Sequence, residues 1–221
     1  MPRLKTAILI SGRGSNLQAL IDACTDPAFP AEIVGVISNR PNAPGLEHAR
    51  AAGIATAVVD HKAYADRPAF EAALDTVLKE ARAELICNAG FMRILTAGFV
   101  ERWRDRCLNI HPSLLPAFPG LDTHARALAA GVRFAGCTVH FIRAAVDAGP
   151  IIVQAAVPVL PDDDVASLAV RVLTEERRIY PQALRMVAEG RVRVVDGRAV
   201  IDGAAAPPAV LINPSPAGSS S

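Results

Sequence analysis

The stretch TAILISGRGSNLQALIDAC, residues 6–24, runs apolar, breaks on two glycines and resumes as a helical pattern. TAILIS (6–11) reads as a strand buried on both faces, and SNLQALIDAC (15–24) as the helix after it. A buried strand turning into a helix within a few residues is the first half of a βαβ unit. The same alternation continues outward. EIVGVISN (32–39), IATAVVD (54–60) and ELICNAG (84–90) read as further buried strands, and APGLEHARAAG (43–53) and PAFEAALDTVLKEARA (68–83) as the helices between them. LTAGFVERWRD (95–105) is another helix, and CLNI (107–110) a fifth strand.

After residue 120 the pattern changes. DTHARALAAG (122–131) reads as a short helix with Asp122 or Thr123 as its N-cap. FAGCTVHFI (134–142) and PIIVQAAVPV (150–159) flank a gap and are expected to pair antiparallel at the sheet's edge. Residues 162–190 read as one long helix that Pro181 should kink or interrupt, and 191–201 as a hairpin turning at Asp196-Gly197. The fold expected is α/β: a Rossmann-like open, mostly parallel twisted sheet with helices on both faces, late antiparallel edge strands and a small C-terminal hairpin. One domain over 1–203 is expected, with a flexible tail over 204–221, where Ala, Pro, Gly and Ser accumulate.

Composition narrows the function classes. The 221 residues are enough for a real core, and 51% hydrophobic with 20% charged content describes a soluble globular chain. A formal charge of +1 draws the protein neither to nucleic acid nor to an anionic membrane, so an anionic ligand needs a local site. Cys24, Cys87, Cys107 and Cys137 form no CxxC pair, which argues against a disulfide framework or closed zinc site and for a reducing compartment; the cytoplasm is expected. The apolar run AILI is too short for a signal peptide or a membrane span. His124 and His140 lack metal-ligand spacing, and no metal is expected.

Two segments carry chemistry. In SGRGSN (11–16), Gly12 and Gly14 permit a tight turn with backbone N–H groups close to a ligand, and Ser15 and Asn16 can donate from the helix start. The loop is not a P-loop, and Leu17 occupies the last glycine position of the dinucleotide fingerprint. A single phosphomonoester is the ligand expected there; the plainer alternative is an ordinary turn capped by Ser15. In NIHPSLLPAFPG (109–120), Asn109 and His111 share one strand face and emerge at its carboxyl end, where open α/β sheets bind ligands. Pro112, Pro116 and Pro119 stiffen the loop beyond the strand. A histidine can carry a proton near neutrality, and an asparagine amide can donate to an oxygen that becomes negative. Asp147, in the gap between the two late strands, is the best candidate to orient and charge the imidazole. No serine or cysteine nucleophile is evident, which favours direct transfer between bound substrates. Phe91, Met92, Ile94 and Leu95 could line a flat apolar slot or pack a core, and Glu176 among charged neighbours otherwise reads as a solvated helix face.

ISGRGSNLQALIDAC, AGFMRIL, LNIHPSLLPAFPG, GCTVHF, VDAGPIIVQAAVPV and EERRIYP, in that order over about residues 5–200, resemble the folate-dependent phosphoribosylglycinamide formyltransferases. The resemblance implies transfer of the formyl group of 10-formyltetrahydrofolate, as co-substrate, to the amine of 5-phosphoribosylglycinamide. It puts the catalytic trio on Asn109, His111 and Asp147, and the ribonucleotide contacts on Gly14, Ser15, Asn16 and Glu176. It puts the folate contacts on Arg67, on Met92, Arg93, Ile94 and Leu95, on Asn109, and on the segment Arg143, Ala144, Ala145, Val146 and Asp147. Small-molecule substrates, no nucleic acid or membrane partner, and a monomer or homodimer go with it. Arg13, Asp122 and the plain RAAVDAG segment depart from the family pattern without removing a chemical group. The rival expectations are a formyltransferase for another amine, such as methionyl-tRNA, and a non-catalytic folate- or phosphate-binding protein.

Overall fold

The computed structural model describes residues 2–205 and 211–214. The first half alternates as the apolar runs require: β1 (Leu4–Ile10), α1 (Ser15–Cys24), β2 (Ala31–Ser38), α2 (Gly45–Ala51), β3 (Thr56–Val58), α3 (Arg67–Glu80), β4 (Leu85–Asn88), α4 (Ala97–Arg102) and β5 (Cys107–His111). Then come α5 (Thr123–Ala129), β6 (Phe134–Phe141), β7 (Ile151–Pro158), α6 (Val165–Ala188) and the hairpin β8 (Val192–Val195) with β9 (Arg198–Ile201).

Seven strands form one sheet in the order β3-β2-β1-β4-β5-β6-β7. β1 to β5 are parallel, while β6 is antiparallel to β5 and β7 to β6. The centre of the sheet shows why β1 reads as one apolar run. Ile8 and Ile10 join the core under α1 and α6, and Ala7 and Leu9 join the core under α3 and α4. Because strand side chains alternate, a strand covered on both faces has no polar positions to spare. The chain leaves β1 in one direction for β2 and returns on its other side for β4, which opens a crevice at their carboxyl ends.

One local expectation is corrected and another is met in position only. Pro181 does not interrupt α6, which runs unbroken through it. The proline leaves the carbonyl of Arg177 without its helical donor, but Arg177 is exposed, and burial of Ile179, Tyr180, Ala183 and Leu184 holds both sides together. Asp122 does stand at the N-cap of α5, but with φ 55 its side chain makes no capping bond. α6 is capped instead by a reciprocal Asp164–Ser167 box. Asp196 (φ 48) and Gly197 (φ 75) turn the final hairpin, whose apolar side packs on the main core. Of the tail expected from residue 204, Asn213 donates to the carbonyls of Arg133 (2.6 Å) and Val159 (3.1 Å); residues 206–210 and 215–221 lie outside the described residues.

Candidate active site

At the carboxyl end of β5 the strand period sends Asn109 and His111 to one face, and the antiparallel register sets His140 opposite Asn109 and Thr138 opposite His111. Asp147, held at φ 53 in the β6–β7 loop, closes the cluster from outside. His111 Nδ1 lies 3.3 Å from Asp147 Oδ2, His140 Nε2 lies 3.8 Å from Asp147 Oδ1, and the Gly120 N–H donates to Asp147 Oδ2 at 2.8 Å. The other His111 nitrogen, Nε2, faces the carbonyl of Phe118 at 3.1 Å.

These partners set proton positions. Both nitrogens of His111 face groups that only accept, so the doubly protonated ring is the form that satisfies both. His140 is the opposite case. Its Nδ1 faces the carbonyl of Phe141 at 2.9 Å and must carry hydrogen; its Nε2 is therefore the lone pair that accepts from Asn109 Nδ2 at 3.2 Å. Burial pushes the His140 pKa down, outweighing the pull of the Phe141 carbonyl and Asp147, so the ring stays neutral. Asn109 thus spends one N–H on His140 and keeps the other for a ligand.

The proline-rich loop is fastened by more than its prolines. Thr138 Oγ1 donates to the carbonyl of Ser113 (2.7 Å) and accepts from the Leu115 N–H (3.1 Å), and Gln154 Nε2 reaches the Leu115 carbonyl at 2.8 Å. Ser113 Oγ in turn donates to the carbonyl of Ala117 at 2.7 Å.

Across the crevice, Gly14 caps α1 in the left-handed conformation (φ 77), and Ser15 is the first helical residue rather than the cap. A side chain at Gly14 would meet the backbone of Gly45 at 2.8 Å, so the loop needs glycine for space as well as for φ. Asn16 Nδ2 donates to Glu176 Oε2 at 2.6 Å, while Asn16 Oδ1 is enclosed without a partner. Glu176 is 8% exposed, not a solvated residue, and burial raises its pKa against the opposing pulls of Asn16, His111 and Arg177.

The segment after β4 splits. Met92 (57% exposed) and Ile94 (56%) turn outward, Arg93 is half-buried, but Leu95 sinks into the core with Phe91, so its side chain is not part of an open slot. Ser11 positions this segment: its backbone N–H donates to Gly90 O (3.1 Å), its Oγ accepts from the Met92 N–H (2.8 Å), and its hydroxyl hydrogen goes to Asn39 Oδ1. Arg67 is exposed one turn before Phe70, whose ring stacks on Phe91 with centroids 6.5 Å apart. Arg143 is paired with Asp105, so its guanidinium is engaged, whereas Ala144, Ala145 and Val146 are exposed. No cluster of potential metal ligands is found among the described residues. Ser11, Thr138 and Gln154 are not singled out for these roles by the sequence, because each acts across strands distant in the chain, and the Phe118 carbonyl is not, because backbone direction in a loop leaves no mark in residue type.

An open α/β sheet whose carboxyl edge carries an imidazole, a carboxylate and an amide N–H opposite a glycine loop is suited to an enzyme that stabilises an oxyanion. The chain belongs to the formyl transferase family, whose model, described as "Formyl transferase", matches residues 4–184. It is 43% identical over 203 residues to a phosphoribosylglycinamide formyltransferase of Haemophilus influenzae, covering 92% of this chain and 96% of that one. It is 52% identical over 192 residues to the trifunctional purine biosynthetic protein adenosine-3 of Bos taurus; the match takes in 87% of this chain but only 19% of that longer protein. The crystal structure of glycinamide ribonucleotide transformylase 1 from Symbiobacterium toebii superposes with a TM-score of 0.88 at 50% identity, covering 90% of this chain and 94% of that one.

Proposed function

We propose that the protein transfers the formyl group of 10-formyltetrahydrofolate to the amine of 5-phosphoribosylglycinamide, giving the N-formyl ribonucleotide and tetrahydrofolate. The observation that carries the reading is the meeting of Asn109, His111 and Asp147 at one strand end, facing the Gly14–Asn16 loop and Glu176. In this reading the nest of N–H groups at α1 takes the phosphate, and Asn16 with Glu176 orients the ribose and glycinamide. The uncharged amine attacks the formyl carbon, the C–N bond forms, and the carbonyl electron pair moves onto oxygen. The second N–H of Asn109 and the His111 imidazolium donate to that oxyanion, which takes the place of the Phe118 carbonyl at Nε2. Collapse breaks the bond to N10, and N10 takes up a proton in exchange for the one the amine gives up. Asp147 keeps the ring charged throughout.

The apolar rim of Met92, Ile94 and Val146 suits the flat folate ring, with Arg67 and Arg93 near its acidic tail. We assign residues 1–203 to one formyltransferase domain and place the reaction in the cytoplasm, in keeping with the four free cysteines. Among the described residues no helix is long and apolar enough to cross a membrane. The test is tetrahydrofolate release by the purified protein with both substrates. No release, or release only when methionyl-tRNA replaces the ribonucleotide, would sink the assignment.

A further inference from the structure

One buried polar side chain at the carboxyl end of the sheet has no task in this chemistry. Asn88 ends β4 in register with Asn109 of β5, and Asn109 is in register with His140 of β6. Paired positions on adjacent strands send their side chains to the same face, so Asn88 extends the polar row Asn109–His140 by one strand. It is 3% exposed, and its Oδ1 is enclosed with no hydrogen-bond partner. Its neighbour on the other side, Leu9, is a core residue that offers no donor. The Tyr180 hydroxyl is committed to the backbone carbonyl of Asn88 at 2.9 Å and does not serve the side chain.

Buried acceptors are normally paired, and one left unpaired destabilises the fold where an apolar residue would not. Two such side-chain oxygens are found among the described residues, on Asn16 and on Asn88. Both lie at the carboxyl end of the sheet, one at the phosphate loop and one beside Asn109. A ligand that fills the cleft gives each a reason to be there.

We propose that Asn88 is a further donor-binding residue, its amide oxygen accepting a hydrogen bond from the N5–H of the reduced pteridine ring. The inference rests on the folate reading above and adds to it a contact with the ring itself. With the formyl carbon at Asn109, Asn88 stands one strand spacing away, about 4.8 Å. N5 lies three bonds from N10, and it carries a hydrogen in the tetrahydro form. The segment after Asn88, through Phe91 to Leu95, packs on the same face of the sheet and is irregular, so it can adjust around a flat ring.

The experiment is a cycle between residue and ligand, read by calorimetry on the full chain. Tetrahydrofolate and 5-deazatetrahydrofolate, which has carbon in place of N5, are titrated into the wild type, Asn88→Leu and Asn88→Ala. The wild type should bind tetrahydrofolate about 5–10-fold more tightly than the deaza analogue, and both variants should close that gap to about 2-fold or less. Asn88→Leu should at the same time melt about 2–4 °C higher, because the unpaired oxygen is gone. A residue that is merely structural does not gain stability while losing discrimination between two ligands. Equal tetrahydrofolate preference in wild type and variants overturns the proposal. Failure of the wild type to bind tetrahydrofolate overturns the folate reading instead. Should Asn88→Leu not fold, the alanine variant carries the ligand comparison alone.

Discussion

The two ends of the cleft each hold a largely shielded carboxylate, and the surroundings treat the two in opposite ways. Asp147 meets the His111 ring at 3.3 Å and the Gly120 N–H at 2.8 Å, so its charge has a partner. Glu176 meets an amide, Asn16 at 2.6 Å, and burial raises its affinity for a proton. A carboxylate beside an imidazolium can hold a charge through a reaction. One set among amides can only hold and orient a neutral or hydroxylated partner. The contrast teaches that turnover and acceptor binding are built on separate groups, and substitutions at the two ends should separate kcat from KM.

The largest effect should come from removing the ring. His111→Ala takes away the charged donor to the oxyanion and should lower kcat by about 10³-fold. The acceptor KM should stay within about 3-fold, because the phosphate loop and Glu176 are untouched. Steady-state kinetics in both substrates reads the split. Comparable losses in kcat and in ribonucleotide affinity would erase the distinction between the two ends.

Asp147→Asn should rank second, with kcat lower by about 10²-fold. The amide still fits the space and can still accept from His111, but it no longer favours the imidazolium. Steady-state kinetics should show the loss in kcat with both KM values within about 3-fold. An unchanged kcat would show that the carboxylate only props the ring in place.

Glu176→Gln sharpens the other end. The acceptor KM should rise by about 10-fold with kcat changed by no more than about 3-fold. Stability should move the opposite way. Since the folded-state pKa of Glu176 is raised, its favourable contribution is complete below the unfolded carboxyl value and is lost as pH climbs through the folded one. Glutamine escapes that loss. The variant should melt higher than wild type at neutral pH and lose this advantage in acid, as thermal scans across the range would record.

The two ends also differ in how far the chain discloses them. The loop Gly12–Asn16 lies within one strand–turn–helix unit, and Asn109 and His111 are two apart on a strand, so local periodicity suffices for both. Glu176 carries a signal as well. Leu168, Val172, Glu176, Tyr180 and Ala183 follow the helical repeat, so a lone acid on an apolar stripe is legible as a buried group. The local cluster of charges points the other way. Asn88 leaves a similar trace, being a polar residue closing the buried run of β4. The Phe118 carbonyl and the Ser11 clamp leave none. They arise from register across three strands and from loops with left-handed residues, which no local spacing encodes. Pro181 departs from expectation because tertiary packing on both sides of it decides, over the local pattern.

Phe118 offers the finest test of the contrast. Its φ of 52 is a left-handed conformation that a bulky residue adopts at a cost, and there its carbonyl points at His111 Nε2 (3.1 Å), with Ser113 Oγ 3.2 Å away. Phe118→Gly removes the strain, frees the unfolded chain and takes from Arg126 the ring it overlies at 5.7 Å. Relief of the strain stabilises by about 1 kcal/mol, but the freer unfolded chain and the loss of the half-buried ring each cost about as much or more, so the melting temperature should fall by a few degrees. The carbonyl, however, is no longer held by a crowded backbone, and the ring loses a fixed counterpart. A fall in kcat of about 2–5-fold, with both KM values unchanged, is the outcome expected of a group that only aims the imidazole. Unchanged kcat would leave Asp147 as the sole orienting partner of His111, and the strained backbone at this end would then need a reason other than catalysis.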